Sequence, residues 1–105
     1  MNGILELNPP LNGMKFSVGE IFITSGINGR IKEDEDFANF VGQSFTRHCN
    51  GDWGDLCEED KAMNDKSLVN GDDRIFSRYD YNGEKVYIIT EWHREQTTIL
   101  FADEY

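Results

Sequence analysis

The sequence predicts an α+β fold, a small single domain in which an antiparallel sheet of three to four strands packs on a Phe-rich helix. Three observations carry that prediction. Phe37, Phe40, Val41, Phe45 and His48 recur at steps of three, one, four and three, which is one face of a helix. Two runs rich in β-branched and aromatic residues flank Asn82-Gly83, the signature of a two-residue hairpin. A third such run follows at 97–101, so the C-terminal third reads as a meander.

In chain order, residues 1–14 read as an irregular N-terminal arm, because Asn8-Pro9-Pro10 forbids helix and Asn12-Gly13 signals a turn. Residues 15–105 read as one domain. A first strand is expected around 20–24, with a short helix as its rival, ended by Ser25-Gly26 and Asn28-Gly29. A charged connector spans 32–36, where Asp34 or Asp36 can cap the next helix. That helix runs over about 35–48, and Asn50-Gly51 stops it. A second helix is expected from Asp55, acting as cap with Glu58 three residues on, to about Asn64. A polar connection over 65–73 closes at Asn70-Gly71. In the hairpin, a two-residue loop at Asn82-Gly83 sets Asp80 opposite Lys85, Arg78 opposite Tyr87, and Ile75 opposite Thr90. Opposite charges and a cation over an aromatic ring are pairs that stabilise sheets. The predicted order is β-α-α-β-β-β, closed by a short acidic tail at 102–105.

The chain has 105 residues, enough for one domain. Its seven Phe, four Tyr and two Trp bury enough surface to offset the entropy of ordering. Twenty acids against ten bases give a net charge of -10, which excludes passive binding to duplex phosphates. No apolar run approaches a membrane span of roughly 20 residues. The start, Met1 to Glu6, lacks the basic stretch and apolar core of a secretory signal, so a cytoplasmic chain with two free thiols is expected. His48, Cys49, Cys57 and His93 are zinc-ligand types, but their spacing matches no common zinc module; no metal and no cofactor is expected.

The segment from Arg47 to Lys61 concentrates unusual chemistry. Gly51 and Gly54 bracket Trp53, which reads as a core peg with its indole N–H on a backbone carbonyl. Arg47-His48-x-x-Gly51-Asp52-Trp53-Gly54-Asp55-Leu56-x-Glu58-Glu59-Asp60-Lys61 forms one block with Asn64-Asp65. Val86 to Trp92, then Arg94 and 97–100, form another, followed by a terminal Glu-Tyr. Together these blocks resemble a family of small bacterial proteins carried on plasmids, phages and integrative elements. The resemblance covers roughly residues 16–105 and departs from the family at Ser25 and Ala102, where proline is expected. It implies a mobile-element setting and no particular activity.

Two functions compete. In the first, the chain is a small acidic accessory protein that binds a protein partner with a basic surface. Asp52, Asp55, Glu58, Glu59 and Asp60 supply the charge, and Trp92 and Arg94 a recognition patch. In the second, it is a small hydrolase or nuclease. His48 would be the general base, oriented by Asp52 or Asp55, and Asp52, Asp55, Glu59 and Asp60 could hold Mg²⁺ through oxygens. No P-loop, G-x-S-x-G or G-x-G-x-x-G motif is present. The two readings part at His48: an enzyme needs it in an open cleft beside the carboxylates.

Overall fold

The computed structural model describes residues 14–105; the expected arm, apart from Met14, lies outside the described residues. Strand β1 (Glu20–Ile23) leads into helices α1 (Ser25–Glu33), α2 (Glu35–Cys49) and α3 (Glu58–Asn70). Strands β2 (Ile75–Tyr81), β3 (Glu84–Thr90) and β4 (Gln96–Phe101) follow, and a 3₁₀ turn spans Ala102–Glu104. The fold is α+β, and the predicted succession holds with one helix more, α1.

Helix α1 occupies residues that the sequence reads as a strand terminus and a loop. Thr24 caps it, its side chain accepting from the Ile27 amide. Ile27 and Ile31, one turn apart, are buried. The two glycines each cost about 1 kcal/mol of helix propensity relative to alanine. Burying two isoleucine side chains returns roughly 1.5–3 kcal/mol each, so packing overrides local preference. Asp34 is the only break between α1 and α2. Its backbone is extended, its N–H donates to the Arg30 carbonyl, and its carboxylate accepts from the Phe37 amide. Helix α2 then matches its predicted span closely, with Phe37, Val41, Phe45 and His48 on its buried face.

Helix α3 differs more from expectation. It starts three residues after Asp55 and runs through Asn70, where Gly71 takes the left-handed conformation that closes it. Asp55 does not cap it; Cys57 holds that position and makes no side-chain cap bond. Its only buried side chains are the polar Asn64 and Ser67, so no apolar stripe marks its length in the sequence.

The sheet has four strands in the order β1-β4-β3-β2. It is mixed rather than purely antiparallel: β1 lies on one edge, parallel to β4 from Glu20↔Gln96 to Ile23↔Ile99. The three helices and two strands between them give the long crossover that parallel pairing requires. The hairpin register is the predicted one, with Tyr81↔Glu84, Asp80↔Lys85, Arg78↔Tyr87 and Ile75↔Thr90. Asn82 and Gly83, at φ 48° and 83°, supply the paired positive dihedrals of a type I′ turn. Asp80 faces Lys85, but its carboxylate pairs with Arg78 of its own strand at 2.8 Å. The guanidinium expected over Tyr87 lies on Asp80 instead.

One face of the sheet carries Tyr79, Val86, Ile88 and Ile99, all fully buried in one core with Ile27, Phe37, Val41 and Phe45. The acidic tail is not free. The Glu104 carboxylate accepts from Thr24 Oγ1 at 2.7 Å, the Gly26 amide at 3.1 Å and the Phe101 amide at 2.8 Å. Among the described residues no helix is long and apolar enough to cross a membrane.

Candidate functional site

His48 lies on the buried face of α2, against the sheet, and is fully inaccessible. Both ring nitrogens are occupied: Nδ1 is 2.6 Å from Ser77 Oγ and Nε2 is 2.9 Å from Thr90 Oγ1. The direction of these bonds follows from the far end of the chain. Thr97 Oγ1 donates to the Val18 carbonyl at 2.7 Å, because a carbonyl only accepts. That uses Thr97's one proton, so the 2.7 Å contact between the two threonines carries the proton of Thr90. Thr90 Oγ1 therefore accepts from His48 Nε2–H, and Nδ1 accepts from Ser77. His48 is held as the neutral Nε2–H tautomer. Burial pushes its pKa down to about 3. Phe16 meets the ring edge-on at 5.2 Å, and Trp53 lies at 6.1 Å.

The carboxylates named beside His48 turn elsewhere. Asp52 forms a bidentate pair with Arg47 at 2.7 and 3.1 Å and accepts from the Gly54 amide. The Arg47 hydrogen bond holds the Asp52 carboxyl below its usual range. Asp55 accepts from the Asp80 amide at 2.8 Å. His48, Asp52 and Asp55 thus form no common cleft, which corrects the general-base arrangement: the base is buried and neutral, and its proposed orienting groups are bound to other partners.

What the 52–55 segment does instead is cover an edge. Strand β2 ends the sheet, so its outward amides and carbonyls need partners. The Arg78 amide donates to the Trp53 carbonyl at 3.3 Å, and the Arg78 carbonyl accepts from the Asp55 amide at 2.7 Å. Asn64 of α3 completes the cover: its side chain accepts from the Phe76 amide at 3.1 Å and donates to the Phe76 carbonyl at 2.7 Å. Gly54 makes the close approach possible. A Cβ there would stand 2.0 Å from the Arg78 oxygen, on a backbone with φ +77°. Trp53 is the expected core peg at 4% exposure, but its indole N–H donates to the Asp65 carboxylate at 2.9 Å rather than to a carbonyl.

Glu58, Glu59 and Asp60 form the exposed first turn of α3, where the positive helix end favours acids. Glu58 reaches Lys61 at 3.6 Å. Trp92 is 62% exposed, edge-on to His93. Arg94 is not a free recognition side chain. From a backbone at φ 62°, its guanidinium donates to the Asp73 carbonyl at 2.7 Å, to the Glu91 and Trp92 carbonyls, and to the carbonyl and hydroxyl of Ser67. It staples the β3–β4 turn, which carries Trp92, to α3.

The four zinc-type residues are dispersed in environment. Cys49 is buried, with its thiol pushed up to about 11 by burial, while Cys57 and His93 are exposed. Among the described residues no group of three or more His, Cys, Asp or Glu side chains could hold a metal. Beside α3 lie two adjoining hollows. One, about 240 Å³, is lined by Leu56, Met63 and Phe76 and by Asp60, Asp73 and Arg74. The second, about 260 Å³, shares Met63 and Asp73 and adds Asp72 and Lys66.

Sequence reasoning missed Ser77, Thr90 and Thr97, although the alternation of the strands places each facing α2 and a polar residue there signals a buried network. It also missed Asn64, which has no such signal. No family model, curated protein or solved structure significantly matches the chain.

Proposed function

We propose that this chain is a small acidic interaction module that binds and modulates a protein partner with a basic surface, in the cytoplasm and in the setting of a bacterial mobile element. The observation that carries this reading is where the charge lies. Residues 52–73 hold eight acids and two lysines, so six of the ten net negative charges fall within about a fifth of the chain. Helix α3, at the centre of that segment, leaves Glu58, Glu59 and Asp60 exposed. Asp52 and Asp55 fix the exposed segment that leads into α3, Arg94 ties the β3–β4 turn to α3, and Trp92 stands on that turn. A fixed negative face accelerates encounter with a basic surface and repels duplex phosphates. The nucleic-acid channel of a host enzyme is a basic surface of the kind it fits.

The test is the combined replacement of Glu58, Glu59 and Asp60 by lysine. A partner captured from host lysate by the parent protein is titrated against parent and variant at low and high salt. Association should slow several-fold and lose most of its salt dependence, because exposed charges are screened beyond roughly 8 Å at physiological ionic strength. Equal affinity and equal salt dependence for parent and variant would refute the reading. Circular dichroism must first show α3 intact, since reversing three charges at its positive end costs about 0.3–1 kcal/mol each.

A further inference from the structure

The two hollows beside α3 adjoin, sharing Met63 and Asp73 as walls, and together make a two-part trough. We propose that this trough docks a segment of the partner in which arginine or lysine alternates with apolar residues. The inference rests on the interaction reading above and names the place and chemistry of binding.

Three features point to that occupant. Leu56, Met63 and Phe76 give apolar wall, and Met63 is 62% exposed although it lies between the two hollows. Methionine is flexible and polarisable, and suits a surface that adapts to what it binds. Asp60, Asp72 and Asp73 stand along the same walls, three carboxylates against the cations of Lys66 and Arg74; among the described residues no ion pair neutralises any of the three. The guanidinium of Arg74, which lines the trough, is drawn over the rings of Phe76 and Tyr105 and bonds the Tyr105 hydroxyl at 2.6 Å. Apolar wall beside carboxylate matches the long arginine or lysine side chain, an aliphatic stem ending in a charge. A second copy of this chain is disfavoured as occupant, since each copy carries a net charge of -10.

Three synthetic peptides serve as probes: alternating Arg-Leu, alternating Arg-Gly and alternating Glu-Leu. Each is titrated into the full chain at low salt, with binding followed through the methyl resonance of Met63 and the backbone amides. The Arg-Leu peptide should shift Met63 saturably and bind more tightly than Arg-Gly, and Glu-Leu should not bind. Met63→Ala, an exposed change that leaves the fold intact, should weaken Arg-Leu binding about fivefold, the loss expected for part of one apolar contact, and leave Arg-Gly unchanged. If Arg-Leu and Arg-Gly bind equally, shift Glu58 and Glu59 but not Met63, and ignore Met63→Ala, the trough proposal fails while the acidic-surface reading stands. If no arginine peptide binds, both fail.

Discussion

Acidification is the perturbation that tests the interior of this protein most directly. His48 has an ordinary pKa near 6.5 in the unfolded chain and one of about 3 in the folded protein, where burial excludes the charged ring. Below pH 6.5 the unfolded chain therefore binds a proton that the folded chain refuses, and stability falls as pH falls. The His48 contribution is complete above pH 6.5 and is lost progressively between 6.5 and 3. Each unit in that window costs about 1.4 kcal/mol, so lowering the pH from 7 to 5 should destabilise the fold by about 2 kcal/mol. Charging the ring would also force a buried hydroxyl to turn. A doubly protonated ring must donate at both nitrogens, whereas Ser77 is already turned to donate into Nδ1. Denaturant titrations at half-unit steps measure the effect, with His93→Gln as control for the exposed imidazole. A midpoint that stays flat from pH 7 to 5 would refute the buried neutral histidine. Nitrogen chemical shifts should independently report the Nε2–H tautomer at pH 7; an Nδ1–H ring would break the proton order derived from Thr97.

Three further outcomes are expected. Trp53→Ala should cost about 3–5 kcal/mol, because the ring is buried against His48 and Phe16 and its N–H ties α3 through Asp65; equilibrium denaturation checks it. Asn64→Ala leaves the amide and carbonyl of Phe76 without partners, so it should cost about 1–3 kcal/mol and raise the tendency to self-associate through the bared edge, seen by light scattering. A thiol reagent at pH 8 should modify Cys57 rapidly and Cys49 only on unfolding, which mass spectrometry of the native and denatured chain resolves.

The parts of the fold that the sequence made legible are those whose signal is local. The Asn82-Gly83 turn and its complementary cross-strand pairs fix the hairpin register within sixteen neighbouring residues, and the Phe37–Phe45 spacing marks α2 without reference to anything else. Helix α1 was hidden because its helical state is decided by what Ile27 and Ile31 bury against, while Gly26 and Gly29 argue locally for a loop. Helix α3 was read short because Asn64 and Ser67 fasten it to the sheet by hydrogen bonds, which leave no periodic apolar trace. The same logic governs the site. Asp52 and Asp55 have the composition of a catalytic or binding cluster, yet one pairs with Arg47 and the other with the Asp80 amide. Only the folded topology reveals that β2 is an edge in need of cover. The parallel placement of β1 likewise depends on a crossover that no short window contains.

That crossover has a consequence for the order in which the molecule forms. The contacts that hold β1 and its exit join residues 78 to 80 positions apart, at Thr97–Val18, Gly26–Glu104 and Thr24–Glu104. During synthesis, at about 5–20 residues per second, several seconds separate the emergence of β1 from that of β4. The hairpin closes across a two-residue loop on a microsecond scale, whereas β1 must wait for a distant partner and bear the loop-closure entropy of finding it. The edge formed by β1 is thus the last to be sealed, and Glu104 is the latch. Pulse-labelled hydrogen exchange during refolding should show the amides of Phe22 and Thr24 gaining protection after those of Val86 and Ile88, and the simultaneous protection of both pairs would contradict this sequence of events.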